Sequence, residues 1–113
     1  MCTQQQAIQI LKEVYEECNP VLEHRICDAY LYGSYARGDY HAQSDIDILL
    51  TVHATAAQLA LYRSALAVVS SQLSLKHDIT ISITVKPIEQ FLQYANVLPY
   101  YQNVRKEGIL YAG

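Results

Sequence analysis

The sequence predicts a single α+β domain over residues 1–113, with a small mixed β-sheet and helices packed on one face of it. Its length of 113 residues is typical of one domain. Hydrophobic residues make up 51% of the chain and charged residues 17%, which is enough apolar material for a core. Hydrophobic periodicity then orders the elements as helix, strand, strand, helix, strand, helix.

The first half of the chain contains one predicted helix and two predicted strands. Residues 3–18 repeat apolar side chains every three or four positions after a Thr-x-x-Gln capping box, and the helix ends at Asn19, because a residue that precedes proline avoids helical geometry. Residues 25–32 are β-branched and aromatic, which favours a strand. A polar loop with one helical turn covers 33–44, and 45–52 is the most apolar strand candidate.

The second half begins with a helix over 55–75, which opens on a second Thr-x-x-Gln box. Residues 76–86 alternate, with polar side chains at even positions and apolar ones at odd positions from 79, which indicates a half-buried strand. Pro87 suits the first position of a helix that runs to about Asn96. Pro99 starts another helix, which Gly108 closes.

Composition excludes several classes of function. The net charge is −3 and the basic residues are scattered, so neither direct nucleic-acid binding nor an anionic membrane surface is indicated. No apolar run approaches the roughly 20 residues of a membrane span, and the N-terminus does not resemble a signal peptide. Three cysteines without CxxC spacing fit a reduced compartment. We expect a cytoplasmic protein without a membrane partner.

Asp45 and Asp47 are the first candidates for chemistry. Residues two apart in a strand point to the same face, with Cα atoms about 6.6 Å apart. Two carboxylates held so close repel each other, and each therefore favours a nearby cation or a raised pKa. Hard carboxylate oxygens select Mg²⁺ or Mn²⁺, so the pair predicts a divalent metal site.

A phosphate-binding turn is predicted just upstream. Gly33 and Ser34 follow a strand and precede a helical turn, where exposed backbone N–H groups and the serine hydroxyl can hold phosphate oxygens. Arg37 can add a charge-assisted contact, or it can simply pair with Asp39. Ser44, directly before the carboxylate pair, completes the candidate nucleotide-binding set.

Two-metal chemistry often uses a third carboxylate on an adjacent strand. Asp78 is the acidic residue of the third predicted strand and is our candidate, both as a metal ligand and as a catalytic residue. Two alternatives remain open: Asp78 is a simple strand-start residue, or Ser82 on the same face occupies the equivalent depth. Tyr35 and Tyr40 flank the loop and either stack on a base or pack the loop down.

The order Gly33-Ser34, ten residues, then Asp45-x-Asp47 resembles the signature of the DNA polymerase β-like nucleotidyltransferase superfamily, in its minimal nucleotidyltransferase branch. The segment 99–109 also resembles the C-terminal part of stand-alone members, so the similarity extends along the chain. The resemblance implies a polymerase-β-like fold in which Gly33 and Ser34 contact the triphosphate. It also implies that Asp45 and Asp47 bind Mg²⁺ or Mn²⁺, while Asp78 completes the site and helps to deprotonate the acceptor.

The implied reaction is in-line attack of a hydroxyl on the α-phosphate of an NTP, with pyrophosphate released. Relatives of this size are encoded beside a HEPN-domain toxin and act as its antitoxin, so the resemblance implies a hetero-oligomer in which AMP from ATP is transferred to the partner. A non-catalytic antitoxin that occludes its toxin is the alternative. A nucleotide-binding subunit of a separate small-molecule transferase is a third reading.

Overall fold

The structure is a computed structural model and describes residues 2–111. The helices are α1 (Gln4–Val21), α2 (Ser34–Arg37), α3 (Ala56–Leu61), α4 (Arg63–His77), α5 (Ile88–Tyr94) and α6 (Pro99–Glu107). The strands are β1 (Ile26–Tyr32), β2 (Ile46–Val52), β3 (Ile81–Pro87) and β4 (Ile109–Leu110). The predicted α+β class with a mixed sheet is confirmed.

The four strands form one sheet in the order β3-β2-β1-β4. β1 pairs antiparallel with both β2 and β4, whereas β2 and β3 run parallel. The parallel pair is possible because α3 and α4 provide a long crossover between β2 and β3. The carboxylate pair thus lies at the start of a central strand, with a neighbouring strand on each side.

The larger core lies on the sheet face that α1 and α4 cover. From β2 it takes the even-numbered residues, such as Ile46 and Ile48, which are 0% exposed. Leu11 and Val14 of α1 pack there at helical spacing, as the amphipathic pattern predicts.

A smaller, more aromatic core lies on the opposite face, where α5 and α6 pack. Leu49 of β2 contributes to it, together with Phe91 of α5 and Tyr101 of α6. The expectation of helices on only one face therefore needs correction. Successive strand residues point to opposite faces, and the apolar odd position at Leu49 requires a second cover.

Two predicted boundaries in the helices are wrong. α1 continues through Pro20 to Val21, because a proline near the helix end removes only one intrahelical N–H. The buried Leu22 then caps the helix, since its backbone N–H donates to the carbonyl of Cys18 at 2.9 Å. The single helix expected over 55–75 is two helices with Tyr62 between them. The capping box of Thr55 is confirmed.

The third strand begins later than the alternating pattern predicts. α4 extends to His77, whose ring contacts Glu13 of α1 at 2.6 Å, so contacts between helices overrule the alternation. Asp78 then ends the helix in a left-handed conformation, and β3 starts at Ile81. The two-residue strand β4 was not predicted, since so short a run carries no periodicity.

Pro87 ends β3 instead of opening the helix that follows it, and α5 ends at Tyr94. α6 begins at Pro99 and is capped by Gly108, as predicted. Among the described residues, no helix is long and apolar enough to cross a membrane.

Candidate active site

Gly33 makes the turn between β1 and α2, and its geometry requires a glycine. Its φ is +75° and its ψ is −153°, a conformation that L side chains rarely adopt. A Cβ atom at this position would lie 2.6 Å from Oδ2 of Asp47. The start of the loop is therefore pressed directly against one carboxylate of the predicted pair.

The short helix α2 begins directly after Gly33. The first amides of a helix, here those of Ser34 and Tyr35, have no acceptor within the helix and are available to an anion. The side chain of Gln4 in α1 donates to the carbonyl oxygens of Tyr35 and Ala36, at 2.9 Å and 3.3 Å. These two bonds tie α2 to α1, so the turn is held by β1 on one side and by α1 on the other.

Asp45 and Asp47 lie at the beginning of β2, as predicted. Asp45 is exposed, and Asp47 is partly buried between Tyr32 of β1 and Ser82 of β3, its register partners. Burial raises the pKa of Asp47, and the neighbouring charge of Asp45 raises it further, while Arg37 lowers it. A carboxylate destabilised in this way gains most from a bound cation.

Arg37 and Ser44, both candidates for nucleotide contact, already have protein partners. Arg37 is exposed, and its Nε lies 3.1 Å from Oδ2 of Asp39, which realises the ion pair left open as an alternative. Hydrogen bonding to Asp39 raises the pKa of Arg37. The Ser44 hydroxyl accepts a bond of 2.9 Å from the amide of His41 and keeps its own proton for another acceptor.

Asp78 does not lie in β3, and its predicted placement in a strand is wrong. It caps α4 beside α1, where it lines a groove with Gln6, Tyr35 and Ile79. Within residues 2–111, no three acidic, histidine or cysteine side chains come together as a metal site. The structure brings Ser82, the alternative residue, next to Asp47, and it does not bring Asp78 there.

Two tyrosines beside the candidate site were not predicted: the cross-strand neighbour of Asp47 and a residue bonded to that neighbour. Tyr32 is the antiparallel partner of Asp47, and Tyr100 of α6 donates a hydrogen bond of 3.1 Å to the Tyr32 hydroxyl. Burial is the main cause that raises the pKa of Tyr100, and its hydrogen bond to Tyr32 raises the pKa further. The position of Tyr32 directly before Gly33 could have indicated its place, whereas nothing in the sequence links Tyr100 to the site.

The two tyrosines that flank the loop pack against each other. Tyr35 is 1% exposed, and its ring stacks on that of Tyr40, with centroids 4.3 Å apart and 13° between the planes. The structure thus favours loop packing over stacking on a base. Tyr101 is likewise a core residue, at 5% exposure.

A glycine turn after one strand, a short helix and a carboxylate pair at the start of the next strand define a nucleotidyltransferase. The chain belongs to the family described as nucleotidyltransferase domain, whose model matches residues 8–110. The predicted class of enzyme is confirmed.

Two relatives in Methanocaldococcus jannaschii both carry the name "putative protein adenylyltransferase". One is 36% identical over 75 residues, which cover 66% of this chain and 74% of the relative. The other is 32% identical over 102 residues, which cover 89% of this chain and 94% of the relative.

Solved structures share the fold. A protein from Sulfolobus solfataricus described as a "putative nucleotidyltransferase" aligns with a TM-score of 0.60 at 24% identity, over 95% of this chain and 80% of its own. A toxin–antitoxin crystallised with AMP-PNP aligns with a TM-score of 0.59 at 20% identity, over 91% of this chain and 70% of its own. A mutant of the toxin–antitoxin MntA–HpeT gives 0.57 at 18% identity, with the same coverage.

Proposed function

We propose that this nucleotidyltransferase is a Mg²⁺-dependent protein adenylyltransferase. It transfers AMP from ATP to a hydroxyl group of a partner protein and serves as the antitoxin of a toxin–antitoxin pair whose toxin is a HEPN-domain protein. The observation that carries the proposal is the contact between the Gly33 turn and Asp47. It joins a phosphate-binding turn and a cation-binding carboxylate in one site.

The residues present fit a divalent cation. Mg²⁺ in phosphoryl-transfer sites is usually held by one or two carboxylates, with substrate phosphates and water as its other ligands. Asp45 and Asp47 supply that number, and the raised pKa of Asp47 reflects a charge that a cation would neutralise. When bound, the ion would offset the charge on the attacking and leaving oxygens.

The remaining residues bind and orient the nucleotide. The amides of Ser34 and Tyr35 and the Ser34 hydroxyl can donate to phosphate oxygens. Arg37, exposed beside Asp39, can exchange part of that ion pair for a phosphate contact. Ser44 can donate its remaining hydroxyl proton.

The acceptor is inferred from the relatives. Both M. jannaschii relatives are named as acting on proteins, and two structures with this fold are toxin–antitoxin assemblies, one of them with an ATP analogue. These names support ATP as the donor and a toxin as the acceptor.

Transfer of label from [α-³²P]ATP to a co-purified HEPN partner, in Mg²⁺, tests the proposal. We expect Asp45→Asn and Asp47→Asn to abolish labelling, while Glu17→Gln, which neutralises an exposed carboxylate on α1, preserves it. Equal labelling by the Asp47 variant would contradict the assignment of the pair. Asp78→Asn decides the role of Asp78: we expect labelling to persist, and its loss would identify Asp78 as the third carboxylate.

One observation favours a second candidate, an antitoxin that only occludes its toxin. Ser82, not a carboxylate, lies beside Asp47, so a catalytic base at that position is missing. This alternative predicts that cells carrying the Asp45→Asn, Asp47→Asn double variant stay protected from the toxin. Loss of protection, with the variant still folded and bound to the toxin, would exclude it.

A further inference from the structure

The outer edge of β3 is open in the middle of the strand. The amide of Ile46 donates to the carbonyl of Thr80, so the backbone groups of even-numbered β3 residues point toward β2. Those of Ile81, Ile83 and Val85 must then point outward. β3 is an edge strand, and nothing in the sheet pairs with that side.

Of these three residues, only Ile81 has hydrogen-bond partners for its outward backbone groups within the described part of the chain. Two serine hydroxyls of α4 serve Ile81: Ser70 donates to its carbonyl at 2.6 Å, and Ser74 accepts from its amide at 3.0 Å. None of the hydrogen bonds found among residues 2–111 uses the amides or carbonyls of Ile83 and Val85 in this way. Pro87, the next outward position, has no N–H and ends the open stretch.

An apolar groove runs beside the open edge. Its volume is about 450 Å³, and its lining includes Leu59, Ala60, Leu66 and Ala67 from α3 and α4 together with Ile83 and Val85 of β3. An extended peptide lying against the edge would direct every second side chain into this groove. Edge hydrogen bonds and a groove for alternate side chains are the two parts of a strand-addition site.

The charges along the groove indicate which peptide fits. Arg63 and Lys86 both line the groove, and no carboxylate does. Within the described chain, neither cation forms an ion pair, although most other basic side chains do. A second copy would bring the same two cations face to face, which disfavours self-pairing.

We propose that an extended, carboxylate-bearing segment of a partner protein adds to β3 as a fifth strand, pairing with Ile83 and Val85. This inference deepens the proposed function and rests on it, because transfer to a protein requires that protein to dock. A strand added here lies about 4.8 Å from β3. Its other side chains point to the face that carries Ser82 and Asp47, which brings an acceptor hydroxyl to the side of the sheet where the nucleotide binds.

The test uses the full chain and a fluorescein-labelled, eight-residue peptide that alternates Glu and Val. The control peptide has Lys in place of Glu. We expect saturable binding of the acidic peptide, seen as an increase in fluorescence anisotropy, and no binding of the basic one. Equal binding of both peptides, or no saturable binding of the acidic one, would overturn the proposal.

Two variants locate the binding. Val85→Pro removes an outward N–H while leaving the bonds to β2 intact, and it should weaken binding about tenfold relative to Val85→Ala, which keeps that N–H. Arg63→Glu should weaken binding to a similar degree, whereas Arg105→Glu on α6, exposed and outside the groove, should not. Circular dichroism verifies that each variant is folded. Unchanged binding by both Val85→Pro and Arg63→Glu would refute the site.

Two further measurements separate this inference from the proposed function. Asp47→Asn should still bind the peptide, and Val85→Pro should still bind ATP with Mg²⁺, so either site can fail without the other. Sedimentation velocity tests the competing occupant. A dimer of this chain that Val85→Pro dissociates would show that a second copy occupies the edge and would overturn the proposal.

Discussion

The sheet face covered by α1 and α4 is aliphatic and closed, whereas the face covered by α5 and α6 is aromatic, polar and partly open. On the first, Ile46, Ile48 and Leu50 of β2 are all 0% exposed. On the second, Asp47 alternates with them, only partly buried, and tyrosine hydroxyls replace methyl groups. At its start, β2 thus stabilises the fold with one face and carries a candidate metal-binding carboxylate on the other, so the two roles can be separated by substitution.

The largest expected effect is on the closed face. Ile48→Ala leaves a cavity among fully buried side chains and should lower the free energy of unfolding by about 2–5 kcal/mol. Urea denaturation followed by circular dichroism measures it. Leu75→Ala, at a position 84% exposed, is the control and should change stability by less than about 0.5 kcal/mol. Similar losses in the two variants would mean that this face is not the main source of stability.

On the open face, the effect should fall on activity and not on stability. Asp47→Asn should reduce nucleotidyl transfer at least about 100-fold, about 2.7 kcal/mol, because even indirect metal partners contribute 10- to 100-fold. Its melting temperature without metal should equal or exceed that of the wild type, since the substitution removes a carboxylate whose charge is disfavoured. A clear drop in melting temperature would show that Asp47 is needed for folding.

Gly33→Ala tests whether the close approach of the Gly33 turn to Asp47 is needed for nucleotide binding. The added Cβ would collide with Asp47 in a backbone conformation that alanine avoids, at a cost of about 1–3 kcal/mol and with loss of ATP binding. Gly38→Ala is the matched control, because Gly38 also has a positive φ but no atom within 4 Å of the added Cβ. It should retain ATP binding in isothermal calorimetry. Equal loss in both variants would assign the effect to backbone strain alone.

The smallest expected effect is on the pH dependence of the free energy of unfolding, to which Glu13 and Asp47 contribute with opposite signs. Bonding to Lys76 is the main cause that lowers the pKa of Glu13, so its contribution to stability is present at neutral pH and is lost as the pH falls below the usual carboxyl range. Burial raises the pKa of Asp47, so its contribution is present at low pH and is lost as the pH rises through that raised pKa.

Unfolding free energies of the wild type, Glu13→Gln and Asp47→Asn, measured in EDTA from acid to neutral pH, test this pair. The unfolding free energy of the wild type minus that of the variant should rise with pH for Glu13→Gln and should fall with pH for Asp47→Asn. Slopes of the same sign would contradict the contrast between the two carboxylates.

Local sequence was a good guide to the segment that carries the chemistry. The turn at Gly33, the helical turn after it and the carboxylate pair at the start of β2 were all placed correctly, because each depends on a few adjacent residues. Both capping boxes were also predicted, for the same reason. The motif spacing then indicated the enzyme class that the family match confirmed.

The neighbours of that segment could not be predicted. Asp78 alternates with apolar residues as a strand residue does, yet contacts of Lys76 and His77 with Glu13, more than sixty positions earlier in the chain, extend α4 and move Asp78 out of the sheet. Ser82 reaches Asp47 only through the register of β2 and β3, and Tyr100 only through the packing of α6. Such contacts depend on how elements far apart in the chain pack together, and the hydrophobic periodicity of the sequence does not predict that packing.

The division has a physical reason. Dihedral preferences, caps and short motifs act over three or four residues, so the amino-acid order alone determined the glycine turn, the paired aspartates and the mixed α+β class. Pairing across the sheet and packing on its two faces depend on the summed burial of residues far apart in the chain. Only the tertiary structure could therefore decide that Ser82 and Tyr32 flank Asp47, that Tyr100 bonds to Tyr32, and that β3 leaves an open edge.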